Sequence, residues 1–475
     1  MEKPEKTIKW NSKKIIGIII FWLCIWQVAA LLIDNALLFA GPIQTTRAFF
    51  LEVCSGKFMW TIVISLLRIL AGFIAAFVLG CLLGFLSFRI PFFEEFLSPF
   101  MLLCKAVPVA SFAVMLLIWW GAEWLSTAIC FLVVMPMVYV NFLKGLHHAD
   151  KKLLHMAEVF NIPAVSRMFY IYRPAFAPFM EGCLKTSLSM GIKAGVAAEV
   201  IGIPKWSIGG ELYLSKIYLD TAGVFAWTAT VIALSFFMEK VVLYLWNCFC
   251  KYKHPVRFSR RADKGSLVSK LVLEGIHITY ENQSVLRNIS KELIRGKIYC
   301  LMAPSGVGKT TLLHILAGIV KADTGRVSAY RADGSEIEKL RVSMVFQEDR
   351  LCMQETAITN VELVCGDREK AIHFLIEFLP KNVLNRPVEN LSGGMRRRVC
   401  LARALAAEAE VLFMDEPFTG HDEANKEKAA GVIRKYQGDR LIVAATHEAG
   451  DVKKLQGEIW QLLEEKEQLN GREKS

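Results

Sequence analysis

Residues 301–313 read LMAPSGVGKTTLL, inside the longer stretch YCLMAPSGVGKTTLLHILAG. The order is a short apolar strand, a glycine-bearing turn and the start of a helix. A phosphate needs this arrangement: glycines let main-chain N–H groups approach the oxygens, and the helix N-terminus adds its positive end. Lys309 would reach the outer phosphates, and Thr310 would hold Mg²⁺ through its hydroxyl. Ser305, Gly306, Gly308 and Thr311 would complete the cradle. One position departs from G-x-x-x-x-G-K-T: Ala303 stands where the first glycine is expected. Alanine is costly there only if the backbone needs a positive φ, which glycine adopts freely. With a negative φ the loop is expected to bind as usual.

Around this loop, from about residue 268, short β-rich runs alternate with helical ones: KLVLEGIHITY, GKIYCLMA, RVSMVFQ, EVLFMDE and RLIVAAT. The alternation reads as an α/β domain with a largely parallel sheet. EVLFMDEP (410–417) is an apolar strand ending in two acids. Asp415 would complete the Mg²⁺ shell, and Glu416 would serve as base for the attacking water. In LSGGMRRR (391–398), Ser392, Gly393 and Gly394 can open a helix and present backbone donors to an anion. Such a motif in one subunit can complete the nucleotide site of another.

With those motifs in order, the soluble half resembles the nucleotide-binding domain of ATP-binding cassette (ABC) transporters, over residues 271–462. The resemblance implies further roles. Tyr280 is where the family stacks an aromatic on adenine. Gln347 in VFQEDR matches the glutamine that senses Mg²⁺ and γ-phosphate and abuts the membrane domain. Asp422 in TGHD matches a loop that crosses the dimer interface, and His447 in ATHE matches the histidine contacting the γ-phosphate. Two further departures stand out: Arg397 occupies a usual Gln position, and Gly420-His421 replace the usual Ala-Leu before Asp422.

The chain has 475 residues, is 54% hydrophobic and has a mean hydropathy of +0.37. The excess sits in residues 1–250, whose apolar runs are long enough to cross a bilayer. The runs are 15–33, 60–86, 99–120, 125–143, 182–203 and 222–247. Gly72, Gly80 and Gly84 lie in the second, where small residues let helices approach. Six spans put both termini on one side, and basic flanks such as KTIKWNSKK and KYKHPVRFSRRADK make it the cytoplasmic side. The net charge of +11 forms no sustained basic stripe, so no nucleic-acid partner is expected. Twelve cysteines without a CxxC pair read as reduced and structural, and no cleavable signal peptide is expected. Residues 144–181 are too polar to span and long enough to carry a short docking helix on the cytoplasmic side.

Residues 36–247 resemble the permease subunits of type I importers in the nitrate/sulfonate/taurine branch, on three stretches. TIVISLLRILAGFIAAFVLGCLLG places Ser65, Arg68 and Gly72 as that branch does. AEVFNIPAVSRMFYIYRPAFAPFMEG, with Ala157, Asn161 and Arg173-Pro174, matches its coupling loop. AGVAAEVIG carries Glu199. Glu199 and Lys193 are costly in a span and either line a path or serve structure; Arg68 and Lys105 are expected to be structural or interfacial.

The expected architecture is an all-α membrane permease domain of about six transmembrane helices (1–250), a basic linker (251–267) and a soluble α/β P-loop ABC ATPase domain (268–475). The resemblance implies ATP-driven import of a small solute, a sulfonate-, taurine- or nitrate-like anion or a thiamine-precursor-like heterocycle. An extracytoplasmic binding protein would deliver it. One chain supplies half of the family's engine, so a homodimer in the plasma membrane is implied, with the ATPase domain and both termini cytoplasmic. An exporter half-transporter and a membrane-anchored ATP-dependent sensor remain the alternatives.

Overall fold

The computed structural model describes residues 12–35, 37–252, 256, 268–280, 283–304, 306–338 and 340–462. Most of the expected linker and the phosphate-loop residue Ser305 lie outside them. In chain order the first helices are α1 (Ser12–Ile33), α2 (Pro42–Cys54), α3 (Phe58–Arg89), α4 (Pro91–Ala106), α5 (Val109–Trp120) and α6 (Ala122–His147). There follow α7 (Lys151–Val159), α8 (Ala164–Arg167), α9 (Arg173–Gly202), α10 (Ile208–Ile217) and α11 (Thr221–Lys251). The chain divides into two units, 1–148 with 175–252, and 149–174 with 253–475.

In the first unit α3 packs along α6. The buried positions of α3 include Thr61, Ser65, Ile69, Gly72, Ala76, Gly80, Gly84 and Ser87, a stripe of mostly small residues at helical spacing. A Cβ on Gly72 would lie 2.2 Å from the Thr127 carbonyl oxygen, so only glycine permits this approach. The opposite face of α3 exposes Leu67, Ile74, Val78 and Leu82, and α1 exposes Ile16, Phe21 and Trp22, as lipid-facing surfaces do. Glu199 is fully buried: Ser65 Oγ and the Gly209 N–H (3.1 Å) donate to its Oε2, and Ser65 Oγ accepts from the Ile208 N–H at 3.0 Å. It therefore ties α3, α9 and the start of α10. Arg68 pairs with Glu123 and donates to the Lys205 carbonyl at 3.1 Å, a structural placement. Lys193 and Lys105 are exposed.

Among the described residues four helices, α1, α3, α6 and α11, are long and apolar enough to cross a membrane. The count is five if the bent pair α4 and α5 is one crossing. Against the expected six apolar runs, two differ in the structure. The run 99–120 is broken by a 99° bend, because Pro108 lacks an N–H and disfavours helical Val107. The run 182–203 lies in α9, whose 30 residues suffice in length, but Glu181, Lys185, Lys193 and Glu199 keep it less apolar.

The second unit holds two sheets. β1 (Lys270–Tyr280) pairs antiparallel with β2 (Gln283–Ile294) and with β4 (Thr324–Tyr330). A parallel five-stranded sheet runs in the order β5 (Val342–Val345), β6 (Val411–Asp415), β7 (Leu441–Thr446), β3 (Ile298–Met302), β8 (Glu458–Gln461). Its central strands are buried on both faces, which is why they read as unbroken apolar runs. Alternate residues serve two cores. Tyr299, Leu301, Phe413 and Val443 join a cluster with α12 (Lys309–Leu316) and the antiparallel sheet. Cys300, Leu412, Met414 and Ile442 face a cluster of α13 (Ala357–Cys365), α14 (Arg368–Phe378), α15 (Gly393–Ala406), α16 (Glu423–Gln437) and α17 (Ala449–Leu455).

Residues 149–174 belong to this second unit. Asp150 caps α7 by accepting from the Lys152 N–H. Met156, Ala157, Phe160, Ile162, Tyr170 and Ile171 are buried in the first of the two clusters. Lys152 Nζ meets Glu348 Oε1 at 2.7 Å, and the Arg403 guanidinium lies 5.2 Å from the Phe160 ring. The short docking helix read from 144–181 is α7; it packs into the first cluster, and its Lys152 reaches Glu348 in the loop after Gln347.

Candidate nucleotide site

Parallel strands deliver ligand-binding residues at their carboxyl ends. Here β3 ends at Met302 just before the phosphate loop, β5 at Val345 before Gln347, β6 at Asp415 before Glu416, and β7 at Thr446 before His447. The residues singled out in four separate sequence motifs therefore converge on one edge of one sheet.

Ala303 is buried and is absent from the described residues with positive φ. Glycine's freedom is not used at that position. It is used at Gly306 (φ 84°) and at Gly308 (φ 102°), which precedes α12 in the left-handed region. Lys309 is buried, and its Nζ donates to the carbonyls of Ala303 (2.5 Å) and Pro304 (3.0 Å). Among the described residues no carboxylate pairs with it within 4 Å, and its charge acts on the nearby Asp415 carboxylate. Thr310 and Thr311 occupy the first turn of α12.

Thr310 Oγ1 donates to Asp415 Oδ2 at 2.7 Å. Burial pushes the Asp415 carboxyl above the usual carboxylate range, and the Thr310 hydroxyl opposes that shift. A hydroxyl and a carboxylate in contact, with the exposed Gln347 on the adjacent strand end, form an all-oxygen donor set suited to a hard cation. No group of three His, Cys, Asp or Glu side chains among the described residues could hold a metal alone. Phosphate oxygens would have to complete the shell. The residues present fit Mg²⁺ bound together with a nucleotide.

Glu416 sits at φ 47°, an unusual conformation held by its N–H donating to the Ala445 carbonyl at 3.0 Å. Its Oε1 lies 3.6 Å from His447 Nδ1, and its Oε2 accepts from Thr419 Oγ1 at 3.4 Å. Tyr280 is exposed at the end of β1, and the paired strand β2 passes beside Gly308: a Cβ there would meet Val285 at 2.8 Å.

Ser392 caps α15 by accepting from the Met395 N–H, leaving Gly393 exposed and Gly394 partly exposed in its first turn. Asp422 caps α16 in the same way, accepting from the Asn425 N–H at 2.8 Å. The two caps are neighbours, since a Cβ on Gly394 would lie 3.0 Å from the Gly420 carbonyl. Among the described residues no hydrogen bond or ion pair joins Ser392, Gly393, Gly394 or Asp422 to the phosphate loop. Arg397, which the sequence marks only as a departure, proves to be 3% exposed and bonded to four carbonyls of this site.

A glycine-rich loop between strand and helix, facing a Thr–Asp pair and a strained glutamate, defines a P-loop nucleotide hydrolase fold. Comparison narrows it. Residues 286–419 match the family described as ABC transporter, and residues 69–245 match the binding-protein-dependent transport system inner membrane component. The two matches fall on different parts of one polypeptide, a domain like the ATPases of ABC transporters and a domain like binding-protein-dependent inner-membrane components.

Among relatives, the zinc import ATP-binding protein ZnuC of Pseudomonas fluorescens is 37% identical over 34% of this chain and 61% of its own length. The taurine import ATP-binding protein TauB of Pseudomonas aeruginosa is 35% identical over 34% of this chain and 65% of its own. The chain thus spans less than two thirds of these curated relatives. A solved dimeric, post-hydrolysis ATP-binding cassette with ADP and Pi is 27% identical, covering 40% of this chain and 93% of that one, with a TM-score of 0.37.

Proposed function

We propose that this chain is the combined permease and motor of an ATP-driven importer, acting as two copies. The observation that carries the motor reading is the Thr310–Asp415 contact of 2.7 Å beside Glu416 and His447. In this reading Lys309 and the loop amides hold the phosphates, Thr310, Asp415 and Gln347 hold Mg²⁺, and Tyr280 stacks on the base. Bound Mg²⁺ neutralises charge developing on the phosphoryl oxygens. Glu416 takes the proton of the attacking water, and His447, next to its carboxylate, contacts the transferred group. Ser392–Gly394 and Asp422, which make no bond to their own loop among the described residues, serve the loop of the second copy in this reading. Each ATP then lies between two chains, and a homodimer has two such sites.

Residues 1–250 form the permease, 251–267 a linker and 268–475 the motor, with 149–174 lent by the first to the second. That segment is continuous in sequence with α6 and α9, so closure of the motor dimer moves the membrane helices and alternates the access of the pathway. The motor and both termini lie on the cytoplasmic side, and the cargo arrives from an extracytoplasmic binding protein. Likeness to taurine and sulfate import proteins favours a small sulfur-bearing anion as cargo.

The test is uptake of labelled taurine or sulfate into proteoliposomes holding ATP inside, with the binding protein that captures the solute supplied outside. Accumulation that disappears with Glu416→Gln supports import. ATP turnover that responds to the loaded binding protein without accumulation would make the chain a sensor instead.

A further inference from the structure

Arg397 lies in the second turn of α15, five residues after Ser392. It is almost wholly buried, and its guanidinium is spent on main-chain carbonyls. Nη1 donates to Phe346 and, at 3.4 Å, to Gln347. Nη2 donates to Asp415 and, at 2.6 Å, to Glu416. Asp349 Oδ1 is 3.9 Å from Nη1, a single weak ionic partner. One side chain thus grips both residues at the end of β6 and both residues that follow β5, segments otherwise separate in sequence. A planar fork with two terminal nitrogens suits two pairs of carbonyls. Glutamine has one NH₂ and a shorter reach, and lysine is a point charge that cannot bridge two sites in a fixed plane.

Six residues further along α15, Arg403 continues the pattern. Its Nη1 donates to the Arg350 carbonyl at 2.7 Å, and its guanidinium faces Phe160 of the docking segment. The loop 346–350 is therefore held at both ends by α15, and its Glu348 carries Lys152.

We propose that Arg397 is a positioning residue for ATP hydrolysis, locking the Gln347 loop to Glu416 so that they move as one body with α15. The inference rests on the hydrolase reading above. It assigns the unusual φ of Glu416 a keeper: the carbonyl of that residue is pinned by Arg397 while its N–H is pinned by Ala445. Displacement of the docking segment, transmitted through Glu348 and Arg403, would then reach the base directly rather than through a loose loop.

The experiment compares wild type, Arg397→Gln, Arg397→Lys and Glu416→Gln in lipid nanodiscs. It measures Kd for a fluorescent ATP analogue, kcat and KM for ATP, and the thermal midpoint. Arg397→Gln restores the residue usual in this family and is the variant best placed to fold; Arg397→Lys keeps the charge. The expected result for both is a kcat at least about tenfold lower, since displacing a reacting group by about 1 Å costs that much or more, with Kd and KM within about threefold of wild type. Unchanged kcat in either variant overturns the proposal. So does a loss of kcat accompanied by an equal loss of affinity and a lowered thermal midpoint, the signature of a merely structural role. Wild type that hydrolyses no ATP overturns the hydrolase reading and this inference with it, whereas active wild type with active Arg397→Gln overturns this inference alone.

Discussion

Replacing Ala303 by glycine restores the usual motif, and motif reasoning alone would expect a better enzyme. The structure predicts a slightly worse protein with the same activity. The backbone at 303 does not use positive φ, so glycine relieves no strain. The Cβ is buried at 8% exposure, and removing a buried methyl costs about 0.8 kcal/mol. Glycine also gives the unfolded chain more freedom, a further cost of about 0.4–1 kcal/mol. The total is about 1–2 kcal/mol. For a domain of about 200 residues this lowers the thermal midpoint by roughly 2–8 °C. The catalytic geometry should not change, because Lys309 is held by the carbonyl of residue 303, which glycine keeps. Calorimetry of the chain in nanodiscs, with ATP turnover on the same samples, reads both quantities. A raised midpoint, or a turnover increased several-fold, would refute the reasoning and mean that Ala303 strains the loop.

Gly72→Ala and Gly182→Ala should part company. The first places a Cβ 2.2 Å from the Thr127 carbonyl and should destabilise the membrane unit by about 1–3 kcal/mol or more, whereas the second meets nothing within 4 Å and should be neutral or stabilising by up to about 1 kcal/mol; half-lives in detergent distinguish them. His314 is held down to about 4 by burial first and then by the charges of Arg350 and His155. The folded state resists its protonation, so the stability tied to neutral His314 is fully present above its ordinary value of 6.5 and is lost as pH falls from there towards about 4. Unfolding midpoints of His314→Gln should therefore fall less over that interval than those of wild type. Asp415→Asn should remove a charge that burial disfavours, stabilising the nucleotide-free chain near neutral pH while abolishing Mg²⁺-dependent turnover; a destabilised variant would show that the carboxylate is well compensated.

What could be read from the sequence follows from burial. The parallel strands β3, β5, β6 and β7 are covered on both faces and announce themselves as apolar runs. β2 does not: QSVLRNISKELI interleaves charges on an exposed edge, and only its pairing with β1 makes it a strand. β8 is four residues long and gives no pattern to detect. Pro108 was a visible signal for the break in the third apolar run, outweighed there by hydrophobicity. In the candidate site, the residues that converge at the strand ends were readable as motifs because each lies beside a turn. Arg397 was not, because its partners come from two distant strand ends. The docking of 149–174 was legible only as a helix without an address, since its partners Glu348 and Arg403 are supplied by tertiary structure.

The account stands on Glu416 as the base of an ATP-hydrolysing site. The most direct measurement is ATP turnover by wild type and Glu416→Gln in nanodiscs, with nucleotide binding measured on both. The account predicts turnover in wild type, a fall of at least about 100-fold in Glu416→Gln, and nucleotide affinity within a few-fold of wild type. Equal turnover in the two proteins would contradict it.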